Sequence, residues 1–321
     1  MERNLEEYNT FIDQSPQGCI YSYSWWLDTV AQDQWDYCEV RNNEGIQAVL
    51  PYKVTKVNGR MKSIENASMC QMMGVHLKPS LAKYSKQLSY QKNMMYLLID
   101  QLPEAESMDF QFHYSLSNWQ PFYWRGFQQT TNYTYVLDNL SEEILWEGLR
   151  SNIRTDIKKS KKILSVRDDL EIEQFISVYK KTFLRQGREM AYGEKLIKNL
   201  DRACTKRGQG RRSFAIDKNN RVHAVIYTVW DKNSAYYIMG GADPDLRNSG
   251  AHSFLLWDSI LFTSRFVKKF DFEGSMNENI ERFFRAFGGR QMPIMNVYKK
   301  PSIKLAPKSS LIQKIRSTLR V

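Results

Sequence analysis

The stretch Ser234–Gly289, SAYYIMGGADPDLRNSGAHSFLLWDSILFTSRFVKKFDFEGSMNENIERFFRAFGG, decides how this chain folds. It opens on Ala235-Tyr236-Tyr237-Ile238-Met239, whose aromatic and branched side chains suit a strand. Gly240-Gly241 ends that strand, and a loop follows over Asp243-Pro244-Asp245-Leu246-Arg247-Asn248. Ser249 is placed to cap a long apolar helix through Phe254, Leu255, Trp257, Leu261 and Phe262, with Gly250 just inside it. A second strand is expected over Lys269–Glu273. A second helix is expected from Asn277 to Phe287, stopped by Gly288-Gly289.

A strand, a loop and a helix that starts on small residues present free backbone N–H groups to an anion. The helix N-terminus adds about half a positive charge to that invitation. Arg247 adds a full one, which suits a pyrophosphate such as that of coenzyme A. The same residues also serve an ordinary capped helix with an arginine on its surface.

Arg247-Asn248-Ser249-Gly250-Ala251-His252 resembles the R-x-x-G-x-G/A pyrophosphate loop of the GNAT acyltransferase superfamily, with His252 in place of the last small residue. The longer frame is G-A-D-P, S-G-A, L-L-W-D-S-I, F-D-F-E-G-S and I-E-R-F-F-R-A-F-G-G. It resembles the second domain of the Fem-like acyl and aminoacyl transferases, which include the peptidoglycan-bridge enzymes.

That resemblance implies an α/β (α+β) fold of two tandem GNAT-like domains, each a mixed, mainly antiparallel sheet flanked by helices. Residues 1–140 would form the acceptor side, and residues 141–321 the donor side with a basic tail. The implied donor is coenzyme A carrying an acetyl or longer acyl group. It would be bound by Tyr237, Met239, Gly240, Arg247, Asn248, Ser249, Gly250 and Ala251, with a backbone N–H of the strand polarising the carbonyl. The implied acceptor is an amine held between the domains, with cell-envelope precursors among the expected classes. One departure matters. The tRNA-dependent Fem-like transferases carry Tyr or Phe followed by Lys before the last glycine pair, whereas this chain has Phe283-Phe284 and then Arg285. An aminoacyl-tRNA-dependent transferase acting on a cell-wall precursor therefore stands as the alternative. A non-catalytic binding module on the same fold stands as another.

Composition sets the frame around this stretch. A chain of 321 residues with 42% hydrophobic and 25% charged residues reads as two globular domains. No apolar run reaches the roughly 18 residues of a membrane span. The acidic start Met1-Glu2-Arg3-Asn4-Leu5-Glu6-Glu7 is not a signal peptide, so a cytoplasmic protein is expected. The four cysteines and four histidines lack metal-ligand spacing, so free buried thiols and no metal are expected. The net charge of +11 favours anionic partners: acyl-CoA, weak non-specific tRNA binding, or an anionic membrane face. Lys299–Val321 alone carries seven Lys and Arg and no acid, as either a solvated tail or a polyanion contact.

The first half reads as a hairpin around Asn42-Asn43-Glu44-Gly45, a helix over Tyr84–Gln101, strands near Phe110–Tyr114 and Asn132–Asp138, and an aromatic loop from Trp119 to Phe127. Ser141–Leu164 reads as a connecting helix with an apolar stripe at Leu149, Ile153 and Ile157 and lysines and arginines elsewhere. The expected last strand is Met292–Tyr298.

Acyl transfer to an amine needs a base, and two carboxylates offer themselves. Asp271 and Glu273 alternate on the expected strand and would share one face. His252, near a helix N-terminus that would keep it neutral, is the other candidate. Trp119 and Trp124 are candidates for a substrate-groove wall, and Arg285 for a cation near the reacting carbonyl.

Overall fold

The computed structural model describes residues 3–185 and 187–300. Its first half runs α1 (Leu5–Gln14), α2 (Ser24–Val30), β1 (Trp35–Asn42), β2 (Gly45–Val57), β3 (Arg60–Glu65), β4 (His76–Leu77), α3 (Tyr84–Ile99), β5 (Ser107–Gln111), α4 (Gln120–Trp124) and β6 (Gln128–Leu137). Two helices, α5 (Glu142–Gly148) and α6 (Ser151–Ser160), lead into the second half. There follow β7 (Leu164–Arg167), α7 (Ile172–Leu184), α8 (Glu194–Arg207), β8 (Gly210–Asp217), β9 (Val222–Trp230) and β10 (Ser234–Ala242). Then come α9 (Ala251–Thr263), β11 (Lys269–Asp271), α10 (Glu278–Arg285) and β12 (Arg290–Lys299).

The strands form one twelve-stranded sheet in the order β1-β2-β3-β5-β12-β6-β11-β10-β9-β8-β7, with β4 added on β2. The β3–β5 and β10–β11 pairings are parallel and the others antiparallel, which makes the sheet mixed and mainly antiparallel. The two halves of the chain each contribute a block of strands, and the blocks join edge to edge. Their seam is the short β6–β11 pairing, Leu137 opposite Phe270 and Val136 opposite Asp271. The last described strand, β12, slots between β5 and β6 and so joins the first half's portion of the sheet.

Alternation along β8 and β9 shows how the second half is layered. Phe214, Ile216, Val225, Tyr227 and Val229 belong to one core cluster, with Phe175 and Tyr179 of α7 and Leu200 of α8. Ala215, Ala224 and Ile226, one residue out of phase, belong to a second cluster with Leu255, Leu256, Trp257 and Ile260 of α9. Period-two side-chain direction puts these sets on opposite faces. Small alanines beneath α9 let it lie close to the sheet. Because α6 covers its other side through Ile153 and Ile157, α9 is apolar almost all round, as a helix buried on both faces must be. The α7 cluster extends into the first half, where Tyr21 meets Tyr236 edge-on at 5.1 Å and Trp26 is fully buried. Cys19, Cys38, Cys70 and Cys204 are buried and unpaired. No helix among the described residues is long and apolar enough to cross a membrane.

Three sequence expectations need correcting. The helix expected over Ser141–Leu164 is two helices. Leu149 and Arg150 are extended between them, and the Arg150 amide donates to the carbonyl of Ala286 at the end of α10. The aromatic loop contains the short helix α4, with Pro121 in its first turn, where its missing N–H costs nothing. The strand expected to reach Glu273 stops at Asp271. Here the Asp271 side chain takes the Glu273 N–H at 2.8 Å, and both Glu273 (φ 59°) and Gly274 (φ 61°) adopt left-handed backbone. The chain thus peels off the sheet two residues early. The basic tail beyond Lys300 lies outside the described residues.

Candidate active site

Strand β10 is bulged and half unpaired. Its pairing with β9 slips by one residue between Tyr237 and Met239, which leaves Ile238 as the extra residue. Its pairing with β11 covers Ser234–Tyr236 and stops there, because β11 itself ends. From Tyr237 onward the edge of β10 that faced β11 is therefore free. Such an edge presents backbone groups in the open, and a bulge re-aims them.

The gap holds a cavity of about 680 Å³. Tyr237, Ile238, Met239 and Gly240 form one wall, with His252 from the first turn of α9. Ile280, Phe283 and Phe284 of α10 form another, and Tyr179, Thr182, Phe183 and Arg185 come from α7 and its end. The turn after β11 supplies Phe272, Glu273, Gly274 and Ser275.

Glu273 is the carboxylate in this cavity, and it is held from three directions. Its Oε1 accepts from the hydroxyl of Tyr21, and its carbonyl accepts from the side-chain amide of Gln71. Its N–H donates to Asp271 Oδ1, and that same oxygen accepts from Thr134 Oγ1 on β6. Gly274 then passes so close to β6 that a Cβ would lie 2.0 Å from the Tyr133 carbonyl oxygen. Tyr21 and Gln71 belong to the first half, so both halves of the chain build this turn. Asp271 is fully buried and does not line the cavity; its Oδ2 has no hydrogen-bond partner among the described residues.

Burial pushes the Glu273 carboxyl up to about 8. The nearby Asp271 adds to that rise, while the Tyr21 hydrogen bond opposes it. Burial likewise pushes Asp271 up to about 6, against the pull of its hydrogen bonds from Thr134 and the Glu273 N–H. His252 is held neutral: burial drops it to about 4, and its Nε2 lies 3.2 Å from the Tyr237 hydroxyl. A carboxylate that titrates near neutrality beside an open strand edge is the arrangement a general base needs.

The residues expected to grip a pyrophosphate are arranged differently. Arg247–Ser249 form a 3₁₀ turn, Gly250 is left-handed (φ 74°), and α9 begins at Ala251. The end of α6 packs onto this start. Ser160 Oγ donates to the Ser249 carbonyl at 2.6 Å, Lys159 Nζ donates to the Asn248 carbonyl at 2.5 Å, and Ser253 Oγ donates to Asp156 Oδ2 at 3.1 Å. A Cβ at Gly250 would sit 2.9 Å from Asp156 and from Ser160 Oγ, so close helix packing accounts for this glycine. Tyr237, Met239, Gly240 and His252 line the cavity, whereas Arg247, Asn248, Ser249, Gly250 and Ala251 do not.

Trp119, Trp124 and Arg285 also stand away from it. Trp119 meets Tyr123 edge-on at 5.6 Å, Trp124 is 53% exposed, and Arg285 is paired with Glu281 one turn earlier at 2.8 Å. Sequence reading missed Tyr21, Gln71, Thr134, Tyr179, Phe183 and Arg185. Each lies in a segment far from the deciding stretch and carries no local motif. No group of three or more His, Cys, Asp or Glu among the described residues is placed to hold a metal.

Residues 148–283 match the family model described as an acetyltransferase (GNAT) domain. This segment is similar to a GNAT domain. It supplies most of the cavity wall, from α7 through β10 to the turn at Glu273. Over nearly its whole length the chain also has the fold of a solved FemX structure, with a TM-score of 0.70 at 12% identity, covering 92% of this chain and 96% of that one. A tandem GNAT protein from the clavulanic acid biosynthesis pathway gives a TM-score of 0.53 at 9% identity, covering 92% and 93%. The C-terminal domain of a putative lysylphosphatidylglycerol synthetase from Agrobacterium fabrum gives 0.55 at 10% identity, covering 91% of each chain. The chain thus has a Fem-like fold, and its residues 148–283 resemble a GNAT domain. A comparison with curated proteins returns no match.

Proposed function

We propose that the protein is an N-acyltransferase that moves an acyl group from acyl-CoA to an amine, with Glu273 as general base. The observation that carries this reading is the placement of Glu273, raised to about 8, in the cavity along the unpaired edge of β10. An ammonium acceptor has a pKa near 10 and is almost wholly protonated at pH 7. Glu273 takes one proton from it, and the free amine attacks the thioester carbonyl. A backbone N–H at the Ile238 bulge polarises that carbonyl. The C–N bond forms, the C–S bond breaks, and the departing thiolate takes one of the two nitrogen protons, leaving the other on the amide. Asp271 acts here as a positioning residue: it fixes the Glu273 backbone and stays out of contact with substrate. His252 and Tyr237 shape the donor wall. The amine enters from the side of α7, where the first half of the chain lies close.

Coenzyme A as carrier is favoured by the GNAT domain match and by Arg247 ahead of α9. A thermal-shift titration tests it. Coenzyme A at 100 times its Kd stabilises by about 2.7 kcal/mol, and Arg247→Ala is expected to weaken binding by roughly 1.5–3 kcal/mol, the scale of a charge-assisted hydrogen bond. A flat melting temperature across millimolar coenzyme A and acyl-CoAs removes coenzyme A from the proposal. A second reading, an aminoacyl-tRNA donor, has one observation in its favour. The first turn of α9 already has a carboxylate against it, Asp156 at 3.1 Å from Ser253 Oγ, which opposes an incoming pyrophosphate. Transfer of a labelled amino acid from charged tRNA to an amine would promote that reading.

Tyr21→Phe separates tuning from simple packing. The hydroxyl stabilises the ionised Glu273, so its loss is expected to raise the carboxyl further. In protein labelled with ¹³C-glutamate, the carboxyl resonance absent from Glu273→Gln should titrate at a higher pH in Tyr21→Phe than in the parent. A midpoint that stays put or falls would show that Tyr21 only fills space.

A further inference from the structure

The cavity beside β10 is larger and less polar than a two-carbon acyl group requires. Its volume of about 680 Å³ lies in the range of pockets that enclose a drug-sized ligand. Polar groups enter it from the turn after β11, through Glu273, Ser275 and Asn277, and from the end of α7, through Arg185. The wall made by α10 is aromatic. Phe284 stacks on Phe272 at 5.5 Å and meets Tyr237 edge-on at 5.8 Å. Phe283 meets His252 edge-on at 5.6 Å. Ile280, one turn earlier on α10, lines the same cavity and is 45% exposed. An apolar wall left open beside a base is filled to advantage by an apolar part of the substrate.

We infer that the group transferred is a hydrophobic acyl chain, seated between α10 and β10 against Phe283 and Ile280, which the buried Phe272 and Phe284 back, with its carbonyl at the β10 bulge. This rests on the acyl-transfer reading above and adds the class of acyl group, whatever carries it. An acetyl group would touch only the carbonyl end and leave the open faces of Phe283 and Ile280 wet. Each methylene moved from water onto that wall contributes about 0.8 kcal/mol, or roughly fourfold in affinity. The balance of the transfer is unchanged: the acceptor C–N bond forms, the thioester C–S bond breaks, and the thiol leaves with the proton.

S-acetyl- and S-octanoyl-N-acetylcysteamine, which carry the thioester without phosphates, separate the chain from its carrier. Calorimetric titration of the full chain is expected to give an octanoyl Kd at least about a hundredfold below the acetyl Kd, fewer than the six added methylenes would give if all were buried. Acetyl- and octanoyl-CoA should show the same ladder. Ile280→Asp changes an exposed position and is expected to keep the melting temperature while cutting the octanoyl gain tenfold or more. Equal binding of the two carrier-free thioesters would overturn the inference, even if coenzyme A binds. An octanoyl gain that Ile280→Asp leaves intact would also overturn it, by placing the chain elsewhere. If the carrier-free ladder appears but the CoA esters do not bind, the chain inference stands and coenzyme A as carrier falls.

Discussion

Glu273→Gln is expected to lower turnover by about 10²–10⁴-fold, the usual worth of a general base. The amide keeps the size of the side chain and an oxygen to accept the Tyr21 hydroxyl, so the cavity should keep its shape. The assay is thiol release from an acyl-CoA in the presence of an amine acceptor, followed from pH 6 to 10. In the parent, kcat/KM should climb with pH through about 8, as Glu273 loses its proton. In the variant that limb should vanish and be replaced by the slower appearance of free amine from solution. Linkage gives an independent check that needs no substrate. A carboxyl raised from 4.5 to about 8 binds its proton more tightly in the folded chain, so its contribution to stability is complete below pH 4.5 and is lost as pH rises through about 8. Glu273→Gln removes that loss, and its melting temperature relative to the parent should therefore be higher at pH 9 than at pH 5. A variant with unchanged turnover and an unchanged pH profile would take the base role away from Glu273.

Gly274→Ala should damage both stability and the site. The residue sits at φ 61°, and its Cβ would lie 2.0 Å from the Tyr133 carbonyl oxygen and 2.6 Å from the Thr134 Cα. Those are backbone atoms of β6, held in the sheet by pairing with β12 at Met292 and Pro293, and they have little room to move. Left-handed strain and overpacking together are expected to cost about 2–4 kcal/mol. Turnover should fall with stability, because the turn that carries Glu273 must move off β6. Gly59→Ala and Gly126→Ala provide the contrast. Both glycines have positive φ, 76° and 83°, with nothing within 4 Å of an added Cβ. They should pay only the conformational strain of roughly 1–2 kcal/mol. Thermal unfolding distinguishes the cases, and equal losses at all three positions would mean that contact with β6 is not what fixes the turn.

What was legible in the sequence is what short-range patterning encodes. Aromatic and branched residues marked β10. The glycine pair Gly288-Gly289 marked where α10 had to stop. The strand–loop–helix order around Gly250 carried the resemblance to a GNAT domain, and Glu273 and Asp271 stood out as a pair. Their division of labour was not legible. On an ideal strand both would face one way, yet Asp271 bonds the next-but-one amide and turns Glu273 out of the sheet into a cavity. Nor did the sequence show that Gly250 is small because α6 lies 2.9 Å from its missing Cβ, a contact 90 or more residues away in the chain. The seam between the two halves, the place of β12 between β5 and β6, and the reach of Tyr21 and Gln71 to Glu273 are likewise long-range pairings. Local sequence sets which segments become strands and helices, because backbone propensity and side-chain period act over a few residues. Which groups meet at Glu273, and how far burial raises its carboxyl, depends on contacts across the whole chain, and only the tertiary structure decides those.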